Sequence, residues 1–165
     1  MSHPAVRASR PASSPARRRA AFTLVEILIV VIVLGVLASI VVPRFASAAT
    51  DSETAVVAKN LRQFATQFVL FHARTGAYPA DESPGVMPAP MVGLIDPATW
   101  SQGRPAGGQW DWDHGQFGVT AGVSVFQPQY TAAQMTEVDR LLDDGDPATG
   151  RFRARANGYI YVVQP

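Results

Sequence analysis

Residues 22–42 (FTLVEILIVVIVLGVLASIVV) form an apolar run that carries one charge, Glu26. As an α-helix this run extends about 32 Å, which matches a hydrocarbon core of ~30 Å. A buried core helix has few reasons to be apolar on every face over such a length, so the segment predicts a membrane-inserted helix. Upstream, residues 1–21 hold five arginines and no acid among Pro, Ser and Ala. That composition cannot bury apolar surface and reads as a basic tail. Arg17, Arg18 and Arg19 abut the N-terminal end of the run, and Arg44 is the only charge close after it. By the positive-inside rule the N-terminus stays cytoplasmic and the bulk of the chain is exported.

Glu26 is the anomaly in this segment. A carboxylate inside a membrane costs on the order of 3 kcal/mol and usually has a partner. Its place near the start of the run allows snorkelling to the interface. Cleavage just before Phe22 would supply the other solution, a new α-amino group at the membrane edge. Between two staggered chains the amine and Glu26 would meet in an apolar setting, where an unpaired charge is heavily penalised. Glu26 would then set the register between subunits.

An arginine-rich leader, the small residue Ala21, and then Phe22-Thr23-Leu24-Val25-Glu26-Ile27-Leu28-Ile29-Val30 together resemble the signal of type IV pilins and type II secretion pseudopilins. The resemblance covers about 30 residues; beyond them only the architecture matches. It implies that a prepilin peptidase cuts between Ala21 and Phe22, that Phe22 becomes N-methylated, and that Glu26 is the assembly glutamate. Pro43 stands where the family commonly has a helix-kinking proline. The family prefers Gly before the cut; alanine is also small, and cleavage is expected. An ordinary secretory signal is the rival reading, because Ala46-Ser47-Ala48 before Ala49 satisfies the small-x-small rule. Against it stand the length of the run, beyond the usual ~7–15 apolar residues, and the presence of Glu26.

Past Pro43 the helical pattern continues and becomes amphipathic. Residues 44–74 contain neither Gly nor Pro, and Val57, Leu61, Phe64, Phe68 and Phe71 recur at spacings that put them on one stripe. Thr75-Gly76 and Tyr78-Pro79 end the helix. Pro43 removes an internal hydrogen bond and should kink the helix or cause local melting. The segments are therefore a leader over 1–21, a membrane or filament-core helix over 22–43, an amphipathic helix over 44–75 and a globular head over 76–165.

Within the head, residues 76–108 are rich in Pro and Gly and read as an irregular loop with a short helical turn near Ile95–Trp100. Trp110-Asp111-Trp112-Asp113 alternates, placing both tryptophans on one strand face and both acids on the other. Core packing is the reading for the tryptophan pair, with a sugar-stacking platform as its alternative. Residues 117–126 read as a second strand, and 131–143 as a helix with Met135, Val138, Leu141 and Leu142 on its buried side. Asn157-Gly158 predicts a two-residue turn for a hairpin over 151–163. Its faces separate Phe152, Ala154, Ala156, Tyr159, Tyr161 and Val163 from Arg151, Arg153, Arg155, Ile160 and Val162. The arginine face is wet, or meets Asp111 and Asp113 across the sheet, or meets acids on a neighbouring subunit. Asp143, Asp144 and Asp146 are a candidate calcium loop, as C-terminal loops are in some major pseudopilins. Their spacing matches no EF-hand, and a solvated turn is the simpler reading.

The expected fold is α+β, pilin-like: a long N-terminal helical spine, membrane half plus amphipathic half, packed on a small C-terminal antiparallel sheet. With no cysteine there is no disulfide and no thiol chemistry. No phosphate-binding glycine loop, nucleophile elbow or paired His and carboxylate at motif spacing occurs, so no enzyme and no cofactor beyond calcium is expected. A formal charge of +1 argues against nucleic-acid binding. Removing the five leader arginines from the fourteen basic residues leaves nine against thirteen acids, a mildly acidic mature chain. The expected product is a filament subunit of a type IV pilus or of type II secretion, inserted in the inner membrane with its head outside the cytoplasm. Its implied partners are copies of itself and related pilins, prepilin peptidase, the assembly platform and the membrane. The alternatives are a membrane-anchored binding domain that never polymerises and a protein secreted after cleavage at Ala48.

Overall fold

A computed structural model describes residues 23–101, 103 and 105–165. Helix α1 runs from Leu24 to Thr75, with Pro43 inside it, and its expected stop at Gly76 takes a positive φ of 81°. Two compact units divide at this point in the chain, one up to Val42 and one from Pro43 onward.

In the first unit, residues 23–42 are all exposed, including fifteen Leu, Ile and Val side chains such as Ile29, Ile32 and Leu37. The head is built on the second half of α1. Val57, Leu61, Phe64 and Phe68 are buried as the stripe predicts, and Phe71 packs at its margin. They face a four-stranded antiparallel sheet of β1 (Gln109–His114), β2 (Ala121–Phe126), β3 (Phe152–Arg155) and β4 (Gly158–Gln164), in the order β1-β2-β4-β3. Aromatic rings make the joint. Phe68 stacks on Trp112 at 3.6 Å, and Phe64 meets Trp110 edge-on at 5.1 Å and Trp100 at 5.0 Å. Both strand tryptophans are thus core, which removes the sugar-platform alternative. Phe68→Ala should cost about 3–5 kcal/mol, read as a lowered denaturation midpoint by tryptophan fluorescence.

Residues 76–108 are a packed element rather than a connector. Met91, Ile95 and Trp100 are buried in the same core. Asp96 starts the short helix α2 (Pro97–Ser101), accepting hydrogen bonds from the Ala98 and Thr99 backbone and the Thr99 hydroxyl. The segment also lies along the free edge of β1: Gly85 N–H donates to the Trp110 carbonyl at 2.7 Å, and Asp81 accepts from the His114 N–H at 2.9 Å. On the opposite edge, the Ala154 N–H of β3 donates to the Pro147 carbonyl at 2.8 Å.

Three expectations need correction. The strand predicted from Phe117 begins only at Ala121, because Phe117 and Gly118 both take positive φ, 49° and 74°, which no extended strand accommodates. The hairpin turn is Ala156-Asn157, not Asn157-Gly158, since Arg155 pairs with Gly158 and Ala154 with Tyr159. Gly158 is claimed by the sheet: a Cβ there would run into the Val125 carbonyl oxygen of β2. The move changes the cross-strand register by two residues, so every side chain keeps its predicted face. Finally, helix α3 (Ala132–Leu142), started by the reciprocal Thr131–Gln134 capping box, buries Met135, Val138 and Asp139, whereas Leu141 is 38% exposed. At 100° per residue Leu141 falls off the stripe of 135, 138, 139 and 142.

Candidate functional site

Three places hold polar groups in demanding surroundings. The first is the start of α1. The Thr23 hydroxyl accepts the Glu26 N–H at 3.2 Å, so Thr23 caps the helix and Glu26 occupies its first turn. A carboxylate there is favoured by the helix dipole. It is also the one charged residue on the helix up to Val42. Ala21 and Phe22, the expected processing site, lie outside the described residues. Pro43 lies within α1, with helix assigned on both sides of it.

The second is the sheet face turned away from α1. Arg155 reaches from β3 across β4 and β2 to Asp111 on β1, donating to its Oδ2 at 2.6 Å, with Asp113 at 3.9 Å. Its guanidinium lies 4.3 Å from the centroid of the Phe117 ring. The Ser124 hydroxyl donates to Asp113. The side chains of the ion pair are only 4% and 5% exposed. Of the three expectations for the arginine face, the crossing to the acids holds for Arg155. Burial, and then the Asp113 charge, pushes the Asp111 carboxyl up to about 6 against the opposing pull of Arg155. A carboxyl raised above its unfolded value of about 3.9 gives stability that is complete below that value and lost as pH rises through the folded one. The unfolding midpoint should therefore fall between about pH 4 and pH 6. Asp111→Asn should flatten that fall, as denaturant titrations across the range would register.

The third is the end of α3. Carboxylate oxygens of Asp139, Asp143 and Asp144 lie within 4.8 Å of one another. Asp143 accepts the Arg151 N–H, and Asp144 accepts from the Asp146 N–H at 3.0 Å and the Thr149 hydroxyl at 2.8 Å. Asp146 of the expected calcium loop is not in this group; its carboxylate accepts from the Ala148 N–H. Asp139, which sequence reasoning missed, replaces it. Asp139 is fully buried, and the Asp144 carboxyl is the group placed to share a hydrogen bond with it. Burial, the charges of Asp144, Asp143 and Asp146, and the hydrogen bond with Asp144 push its carboxyl up to about 6. The signal that could have found it is an acid standing on the apolar stripe of α3.

Of these three, the N-terminal segment is the one that comparison with known proteins reaches. A family model described as the prokaryotic N-terminal methylation motif matches residues 16–42. This segment is thus similar to a prokaryotic N-terminal methylation motif. Type II secretion system core protein G of Pseudomonas aeruginosa is 32% identical over 66 residues, a match covering 40% of this chain and 46% of that protein. The matched part thus spans about half of the curated relative. No solved structure matches the chain. The motif and the relative support the type IV pilin and pseudopilin family, and the α+β spine-and-sheet architecture of this pilin-like chain is consistent with it.

Proposed function

We propose that the chain is a structural subunit of a type IV-like filament, working as a pseudopilin in type II secretion rather than as an enzyme. The observation that carries the reading is the exposed apolar helix 24–42 inside a methylation motif, with Glu26 its single charge. Such a surface must be covered, first by lipid and then by the same segments of other subunits. In this mechanism the precursor inserts into the inner membrane with its leader in the cytoplasm. Prepilin peptidase cuts between Ala21 and Phe22 and methylates the new amine. The assembly platform then extracts the subunit, and residues 22–42 bundle into the filament core, each Glu26 answering the amine of a neighbour. The similarity to a secretion-system core protein favours secretion over a surface pilus.

Mass spectrometry of the mature protein tests the first step. A terminus at N-methylated Phe22 is expected; a terminus at Ala49 would establish the secretory alternative. Electron microscopy of sheared material from cells overproducing the chain then separates a filament subunit from a membrane-anchored domain that never polymerises.

A further inference from the structure

We propose that the sheet face turned away from α1 docks a second copy of this chain, with Arg153 of one copy entering the acidic groove beside Phe117 of the next. This contact rests on the filament reading above and specifies how neighbouring heads meet. Two grooves lie on that face and share Phe117 and Arg155 as their common wall. The first, of about 450 Å³, runs to the β1 edge and carries the carboxyls of Asp81, Glu82, Asp111 and Asp113. The second, of about 340 Å³, lies beside Arg153 at the β3 edge.

The charges of these grooves are not balanced within one head. In the first, four carboxyls face a single guanidinium, that of Arg155. Arg155 satisfies one oxygen of Asp111, and the other is buried with no hydrogen-bond partner among the described residues. Glu82 is exposed and has no partner among the described residues either. Arg153 stands two residues from Arg155 and so on the same sheet face. It is half-buried, without a hydrogen bond, ion pair or ring contact among the described residues. The other arginines of β3 and its entry are engaged: Arg151 donates to the Val162 carbonyl at 3.0 Å and lies over the Tyr161 ring, and Arg155 is held by Asp111. A groove short of a cation and a cation short of a partner thus occupy opposite edges of one face.

The groove suits a guanidinium in particular. Phe117 and Phe126 line it, and Arg155 already lies 4.3 Å and 5.8 Å from their ring centroids. The Phe117 ring is 46% exposed on a backbone held at a φ of 49°. That conformation costs a non-glycine residue free energy and persists where the surrounding structure imposes it. Here it raises an aromatic ridge between the two grooves. Among identical heads held side by side, the neighbour's Arg153 is a cation of matching chemistry already at hand. The β1 and β3 edges are three strand spacings, or about 14 Å, apart. Each copy can therefore give Arg153 to one neighbour and receive it from another, a contact between unlike surfaces that repeats along a filament.

The test exploits the absence of native cysteine. Ser83→Cys with Ala148→Cys puts one exposed thiol in each groove and leaves Glu82 and Arg153 intact. Membranes of cells producing this full-length variant, treated with a short bis-maleimide, should give a ladder of dimers and higher oligomers, and neither single variant should. Adding Arg153→Glu or Glu82→Arg should reduce the ladder by roughly tenfold or more, because like charges then meet. Adding both should restore most of it. Neither side chain has a partner within its own head, so the fluorescence melting temperature of each reversal should stay within about 3 °C of wild type. No ladder, a ladder indifferent to Arg153→Glu, a double reversal that restores nothing, or a product from a single variant at the yield of the pair each overturns the contact. Sheared filaments without a ladder refute the contact and keep the filament reading; a charge-dependent ladder from cells that yield no filament does the reverse.

Discussion

Glu26→Ala should leave the precursor inserted and cut, yet exclude the subunit from the filament. Processing depends on the leader and the residues at the cut, and the substitution removes a charge that hinders insertion. Assembly as proposed differs because it would take the Phe22 amine out of water. In the proposed filament of wild-type subunits a neighbouring Glu26 meets that amine. In the variant the amine enters the apolar bundle alone, and stranding one partner of a buried pair costs about 3–5 kcal/mol. Incorporation should therefore fall by roughly a hundredfold or more, since each 1.4 kcal/mol is a factor of about ten. Co-expression with wild-type subunits, followed by quantifying both forms in purified filaments, measures the ratio directly. Equal incorporation would remove Glu26 from the assembly mechanism.

The second large effect lies in the head. Arg155→Ala should lower stability by about 3–5 kcal/mol, because it leaves Asp111 and Asp113 buried without their cation. Its side chain is 4% exposed, so solvent does little to soften the loss. The three tryptophans, Trp100, Trp110 and Trp112, are all buried in the head, so denaturant titration of the full chain in detergent reads this unit. Adding Asp111→Asn to Arg155→Ala should recover part of the loss, a coupling that two independent sites would not show. Strict additivity would mean that the 2.6 Å contact contributes nothing.

Periodicity made much of this legible in advance. The stripe from Val57 to Phe68 could be read because a helix repeats its faces every 3.6 residues, and the tryptophans of β1 because a strand repeats every two. The hairpin faces survived a misplaced turn for the same reason. The turn itself was not legible, because the backbone approach that claims Gly158 comes from β2, thirty-odd residues earlier in the chain. Residues 76–108 hid their packing because a buried segment without regular period leaves only scattered Met, Ile and Trp to signal it. Asp139 was hidden by its neighbours: Asp143, Asp144 and Asp146 form a visible run, whereas the acid one helical turn upstream stands in the mixed stretch Glu137-Val138-Asp139-Arg140. Among the candidate sites, Glu26 stood out because its surroundings are so uniform.

The hydrogen bonds along the outer strands have a consequence for how such chains behave when crowded. A sheet edge with free amides and carbonyls is a template for strand addition and aggregation. Here the Trp110 carbonyl and His114 N–H of β1 are engaged by Gly85 and Asp81, and the Ala154 N–H of β3 by Pro147. The two loops act as selvedges that stop another chain from knitting onto the fabric. Subunits stored side by side in a membrane would then be left with one strongly adhesive surface, the apolar helix, and self-association would be channelled away from amyloid-like pairing.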